Sequence, residues 1–312
     1  MLNTTVYHCQ NYGRSRDLQL YGAALLTIST LAITVCCYVI RAIHTQLLSK
    51  KPYFILIAFQ IINDIGNLSY YIYSALCLIF QGYLITKRGS IIMGLLAKVP
   101  YSMQLVIYIV LAVARLNGVL NGQLLARFSR KCPRIAPYMA HISIITLAFI
   151  NALETITFAV LVDTSYYFDP FCGYRVMAFP STVTYEANSL YWSLKESTCL
   201  TLSCCCYCVC YVLLRRQRNH VTSTSNAVSY RPECNLLIMT VISLMLQMAN
   251  AVLWRYIPAI FIHTDIINST STSILCMVLI GRIRRHVLRK MTRLFSRTTV
   301  TQSINQQNMT RY

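Results

Sequence analysis

The chain has 312 residues, of which 56% are hydrophobic and only 12% charged; 28 Lys and Arg stand against 9 Asp and Glu, a formal net charge of +19. A soluble domain of this size carries about 25% charged residues, so an ordinary cytosolic enzyme is a poor fit. The basic residues fall in short segments between apolar runs. That distribution reflects membrane topology rather than a nucleic-acid surface, and no nucleic-acid partner is expected. Of the 14 cysteines, Cys36, Cys37, Cys199, Cys204, Cys205, Cys206, Cys208, Cys210 and Cys276 lie inside apolar runs and read as small membrane side chains, not as a secreted disulfide framework.

A charge-free run of about 20 residues crosses the hydrocarbon as a helix. Leu18–Ile40 is such a run, 23 residues long, too long for the apolar core of a signal peptide. Further runs cover about Pro52–Phe80 with Asp64 inside, Ile92–Ala114 with Lys98 near its start, and Ile135–Val162 with Glu154. Asn188–Leu214, Cys234–Trp254 and Tyr256–Gly281 complete seven, the last being the least hydrophobic. The expected fold is an all-α membrane protein, a seven-transmembrane helix bundle over 18–281. A short N-terminus precedes it at 1–17, and a basic then polar tail follows at 282–312.

Cytoplasmic loops retain Lys and Arg. Segments 41–51, 115–134, 215–233 and 282–312 together hold 20 of them, and the alternate segments hold 6. The N-terminus is therefore expected outside and the C-terminus in the cytoplasm. Asn3-Thr4-Thr5 is a glycosylation sequon on the expected outer side, making Asn3 a candidate acceptor. Asn67-Leu68-Ser69 and Asn268-Ser269-Thr270 also match but lie within expected helices. Cys9, Cys77 and Cys172 lie on or near the oxidising side, so Cys172 is a candidate disulfide partner for Cys9 or for Cys77, and the sequence does not choose.

Polar groups at membrane depth are costly unless paired, and so mark candidate sites. Gln60, Asp64, Asn67 and Tyr71 recur at helical spacing in the second span, and Tyr101, Gln104, Tyr108 and Arg115 share a face of the third. The plainer reading of either stripe is an interhelical hydrogen-bond network; the functional reading comes from its continuity. Lys98, Tyr101, Gln104, Glu154, Glu196, Gln247, Asn250 and Trp254 are candidate ligand-binding residues of the outer half, with Lys195, His263 and Asp265 nearby. Such faces, if they converge, make a concave pocket with apolar walls and a few polar anchors. Asp64, Tyr108, Arg115 and Asn268 are candidates for a switch toward the inner side.

Cys204 to Cys210 sit along one helix with no nearby pair of histidines, which argues against zinc; no metal is expected. No G-x-G-x-x-G, P-loop, H-E-x-x-H or G-x-S-x-G occurs, so nothing points to an enzyme. Tyr256–Gly281 contains no Lys, which excludes a retinal Schiff base there, and no cofactor is expected. Basic Arg282 to Lys290 reads as an amphipathic helix on the inner leaflet, in contact with membrane lipids.

Seven spans, an outer N-terminus, short loops and an Arg closing the third span resemble a G-protein-coupled receptor. More narrowly, Leu111-Ala112-Val113-Ala114-Arg115-Leu116 resembles the corresponding stretch of nematode serpentine chemoreceptors, particularly the Srg superfamily with its Srv and Srx classes. Asn63-Asp64 is similar to the Asp-bearing second helix of that group. Asn268 to Thr272, with Arg282-Ile283-Arg284-Arg285 beyond, resembles its degenerate seventh helix and basic exit. The chain departs in having Ala114 before the Arg, no N-P-x-x-Y, no C-W-x-P and no Cys at the start of the third span.

The resemblance implies a multi-pass plasma-membrane receptor, for instance of a sensory cilium. It would bind a small-molecule or peptide ligand and signal to a heterotrimeric G protein. A ligand-gated channel or transporter is the alternative, and a membrane scaffold a third. The former needs a polar path that the apolar stretches Thr201–Leu214 and Asn235–Leu246 do not offer.

Overall fold

The computed structural model describes residues 16–45, 52–119, 136–161, 165–169, 174–178, 181–220, 227–256, 258–281 and 283–289. Among these are seven long helices: α1 Arg16–Thr45, α2 Pro52–Phe80, α3 Lys87–Val119, α4 Ala136–Leu161, α5 Thr182–His220, α6 Ala227–Tyr256 and α7 Pro258–Leu279. A short helix α8, Ile283–Arg289, follows α7 at a bend of 96°. α2 has the limits expected from its apolar run. α1, α3, α5 and α6 extend past theirs, because a helix does not stop where its hydrophobic stretch does.

One feature was not expected. In the connection between α4 and α5, β1 (Ser165–Asp169) and β2 (Tyr174–Ala178) pair antiparallel, Tyr167 opposite Val176, and β1 lies along α3. Aromatic residues in both strands and the β-branched Val176 in β2 favour this pairing.

α1, α3 and α5 are long and apolar enough to cross a membrane, and α7 with α8 is a fourth candidate; α4 and α6 carry shorter apolar stretches, Ile145–Leu161 and Leu237–Leu253. The chain is thus an α-helical membrane protein. Its surface agrees. Leu31, Phe80, Phe149 and Leu161 are exposed, while Gln60, Asp64, Asn67, Gln104, Asn250 and Asp265 are buried, the inverse of a soluble domain. On the exposed side of α1, Thr27, Thr30 and Thr34 each donate to the carbonyl four residues earlier, at 2.9, 2.7 and 2.8 Å. In lipid, a hydroxyl has nowhere else to send its proton.

Helices in a bilayer associate by close packing rather than by apolar burial. α1 buries Gly22, Leu25, Ser29, Ala32, Cys36, Val39 and Ile43, alternating steps of three and four that make one seam. At Gly22 an added Cβ would lie 2.8 Å from Leu78 Cβ and 2.9 Å from the Ala75 carbonyl oxygen, so α1 and α2 touch there backbone to backbone. α2 ends in a Schellman motif: Gln81 takes φ +50, its N–H donates to Leu78 O at 3.2 Å, and Gly82 N–H donates to Cys77 O at 3.1 Å. Thr86 opens α3, its hydroxyl accepting from Gly89 N–H at 3.2 Å. Pro100 lies inside α3, and the Asn63 side-chain amide donates to its carbonyl at 2.6 Å, fixing α2 against α3 at mid-helix.

Candidate functional site

α2 presents Gln60, Asp64, Asn67 and Tyr71 inward, all buried, as the helical spacing of the stripe requires. Gln60 Nε2 donates to Thr272 Oγ1 of α7 at 2.9 Å and approaches Tyr108 Oη of α3 at 3.5 Å. Asp64 Oδ1 accepts from Gln104 Nε2 at 2.6 Å. Asn67 Nδ2 donates to Asp265 Oδ2 and to Ser269 Oγ, both at 3.4 Å. The hydroxyl of Tyr71 donates to Asp265 as well.

Asp265 is the meeting point. Its other oxygen accepts from Asn250 Nδ2 of α6 at 3.0 Å, and Thr264 Oγ1 donates to Asn250 Oδ1 at 2.8 Å. One turn further along, Asn268 Nδ2 donates to Gln247 of α6. Three helices, α2, α6 and α7, are thus joined by neutral donors around a fully buried carboxylate. The network is incompletely satisfied: Asp64 Oδ2, Asn67 Oδ1, Gln104 Oε1 and Asn268 Oδ1 are buried without a hydrogen-bond partner among the described residues. Orphaned acceptors at such depth are costly, and a network with spare acceptors has other pairings open to it.

A second cluster sits nearer the hairpin end, between α3, α4 and α5. Tyr101 Oη donates to Glu196 Oε1 at 2.7 Å. Lys98 Nζ stands 5.6 Å from the Tyr101 ring centre and 5.2 Å from that of Trp192, within cation–π range. Lys195 Nζ pairs with Glu154 Oε2 at 2.8 Å, and Tyr191 Oη donates to Glu154 Oε1 at 2.6 Å. Glu196 is buried and so faces the bundle.

The residues proposed for one outer pocket therefore fall into two groups. Lys98, Tyr101, Glu154 and Glu196 gather in the α3–α4–α5 cluster. Gln247 and Asn250 belong to the α2–α6–α7 network, where Gln104 also points. Trp254 lies on α6, but its side chain is outside the described residues. Of the switch candidates, Asp64, Tyr108, Arg115 and Asn268 are all buried. Tyr108 Oη donates to the Ser243 carbonyl of α6 at 3.4 Å. Below Tyr108, Ala112, Tyr207 and Leu244 close an apolar layer with it, and Arg115 follows. Cys77 is a buried free thiol in α2, whereas Cys9, Cys172 and Asn3 lie outside the described residues. Asn67 and Asn268 are buried in helices, out of reach of glycosylation.

Thr272 and Ser269 emerge as network members that the sequence reading had not singled out, while Tyr71 and Asp265, noted there for their polarity at depth, stand at its centre. The signal was present in the four-residue spacing from Ser269 to Asp265, but a Ser/Thr-rich stretch reads as weak hydrophobicity before it reads as a donor set. Tyr191 and Trp192 were missed likewise, although they precede Lys195 and Glu196 by one turn. Among the described residues, no group of three or more His, Cys, Asp or Glu side chains converges to hold a metal. On the far side, Ile283 and Val287 of α8 are buried in the core while Arg284, Arg285 and Arg289 are exposed; the helix is basic and amphipathic, with its apolar face turned to the bundle.

No protein-family model matches the chain, and no curated protein matches it.

Proposed function

We propose that the chain is a chemosensory receptor of the G-protein-coupled type, with α1 to α7 as seven spans, the N-terminus outside and the C-terminus cytoplasmic. In this reading it belongs with the nematode serpentine chemoreceptors of the Srg superfamily that its α3 and α7 stretches resemble. It resides in the plasma membrane, for instance of a sensory cilium. A small-molecule or peptide ligand binds at the hairpin end, and a heterotrimeric G protein engages the end carrying Arg115 and α8.

The observation that carries the reading is one face of α3. Tyr101, Gln104, Tyr108 and Arg115 are buried along its length, and each of the first three is tied to other helices: Tyr101 to Glu196 of α5, Gln104 to Asp64 of α2, Tyr108 to Ser243 of α6. A ligand that prefers one arrangement of these ties shifts the bundle toward it, and only differential affinity does so. The apolar layer at Ala112, Tyr207 and Leu244 favours a receptor over a channel or transporter, which needs a polar path through that level.

The test is a ligand panel on cells expressing the chain, read by calcium or cAMP, with epitope tags on both termini. The reading requires an N-terminal tag stained in intact cells, a C-terminal tag stained only after permeabilisation, and agonist-dependent G-protein turnover. Both tags in one compartment, or ligand-gated conductance of the purified chain in a bilayer, overturns it.

A further inference from the structure

α4 and α5 both pack on α3, yet among the described residues their backbones hardly approach one another. What joins them is a side-chain bridge. Lys195 Nζ and Tyr191 Oη, one turn apart on α5, donate to the two carboxylate oxygens of Glu154 at 2.8 and 2.6 Å, and they stand 3.1 Å from each other. Phe158 stacks on Tyr191 with ring centres 3.8 Å apart. The donors are thus held in place as a ready-made clamp for one carboxylate.

The two ends of this bridge differ in burial. The Lys195 side chain is 9% exposed, and that of Glu154 is 46% exposed. The cation is fixed inside and the anion reaches in from the rim. Lys195 Nζ also lies 5.8 Å from the Trp192 ring centre, which Lys98 Nζ approaches to 5.2 Å. The Lys98 and Lys195 ammonium groups are balanced here by the Glu154 and Glu196 carboxylates, so an anionic head enters only by taking the place of one of these carboxylates. Leu153 and Val160 on α4 and Leu190 and Leu194 on α5 are exposed apolar side chains of the same two helices, a surface for a hydrocarbon chain.

We infer that this seam binds an amphiphile with a carboxylate head and an apolar chain. The head takes the Lys195 and Tyr191 donors, the chain lies along α4 and α5, and Glu154 is a built-in competitor that the head displaces. The exchange moves no proton and breaks no covalent bond: one carboxylate replaces another on the same ammonium and hydroxyl, and the Glu154 carboxylate swings away from them on the exposed side of α4. This inference deepens the receptor reading, on which it rests for the assignment of the hairpin end to ligand.

The experiment is equilibrium binding of radiolabelled dodecanoate to the purified full chain in neutral detergent. Dodecanol, dodecyltrimethylammonium and acetate serve as competitors. Saturable binding near one per chain is expected, displaced by unlabelled dodecanoate and by none of the three. Lys195→Met loses about tenfold or more in affinity, the effect of stripping a buried charge pair of one partner, and Lys195→Arg retains most of it. Glu154→Gln tightens binding about two- to fivefold, because the competing ion pair is gone.

That last sign is decisive, since a merely structural Glu154 would weaken binding when replaced. Competition by dodecanol or by acetate as strong as by dodecanoate overturns the inference, and so does Glu154→Gln weakening binding. The assay needs no G protein. Dodecanoate binding with this pattern but without any turnover therefore sinks the receptor reading alone, and turnover by other ligands without dodecanoate binding sinks this inference alone.

Discussion

The side-chain amide of Asn250 on α6 donates to Asp265 on α7 at 3.0 Å, and that same carboxylate accepts from Tyr71 and Asn67 of α2. Asp265 therefore ties three helices together through side-chain hydrogen bonds. Inside a bilayer such bonds and close packing, rather than apolar burial, keep helices together.

Removing the acceptor leaves its donors stranded. In Asp265→Ala the Tyr71 hydroxyl and the Asn67 and Asn250 amides lose their common partner in a buried site, at roughly 1–3 kcal/mol for each group left unsatisfied. The variant should lose several degrees of thermal midpoint in detergent, followed by size-exclusion chromatography after heating. Asp265→Asn keeps a carbonyl oxygen in place and should lose less. Equal midpoints for Asp265→Ala and the parent would show that the clamp does not hold the bundle.

Gln104 is one tie between α2 and α3, its amide on Asp64 at 2.6 Å. Bonds to charged or carboxyl groups contribute about 1.5–3 kcal/mol, so a Gln104→Leu change weakens the arrangement they favour by about tenfold or more in population. On the proposed receptor reading, the expected outcome is raised agonist-independent nucleotide exchange on the G protein, with surface expression preserved. Unchanged basal exchange would mean that the tie is equally present in both arrangements.

Much of this was legible from spacing alone. The inward stripe of α2 and the buried face of α3 follow from residues three and four apart, because polar groups in lipid are driven to face other helices. What periodicity does not carry is which helices those faces meet. Gln247 and Asn250 share a face with the expected position of an outer pocket, yet their partners are Asn268 and Asp265, not Glu196, since α6 packs on α7 far more than on α5. The hairpin 165–178 escaped notice for a different reason: two five-residue strands in a 25-residue polar connection leave too short an alternation to stand out.

Close backbone approach makes a separate prediction. Gly22 faces Leu78 Cβ and the Ala75 carbonyl at distances no side chain tolerates, and neither backbone can yield as a flexible side chain would. Gly22→Val should cost at least the about 1–3 kcal/mol of ordinary overpacking and lower both the thermal midpoint and the yield of monodisperse protein. Gly281, with nothing within 4 Å of its would-be Cβ, provides the control, and Gly281→Ala should leave the midpoint unchanged.

Arg115 permits the two ends of the bundle to be separated experimentally. It is buried near the far end of α3, two turns beyond Tyr108 and across the apolar layer from the two polar clusters, so it lies far along the helix from the residues placed in the proposed ligand site. Along a helix rising about 1.5 Å per residue, it lies about 21 Å from Tyr101. Arg115→Ala should therefore leave ligand affinity in the uncoupled, purified chain within about twofold of the parent while agonist-dependent nucleotide exchange is lost. Coupling is reciprocal for binding, so the G protein should tighten agonist binding to the parent and fail to do so in the variant. An Arg115→Ala receptor that reaches the surface and signals with parental amplitude removes Arg115 from the switch. Loss of agonist affinity in the absence of G protein would place it instead in the structural support of the outer site, and would break the division of labour that the α3 face implies.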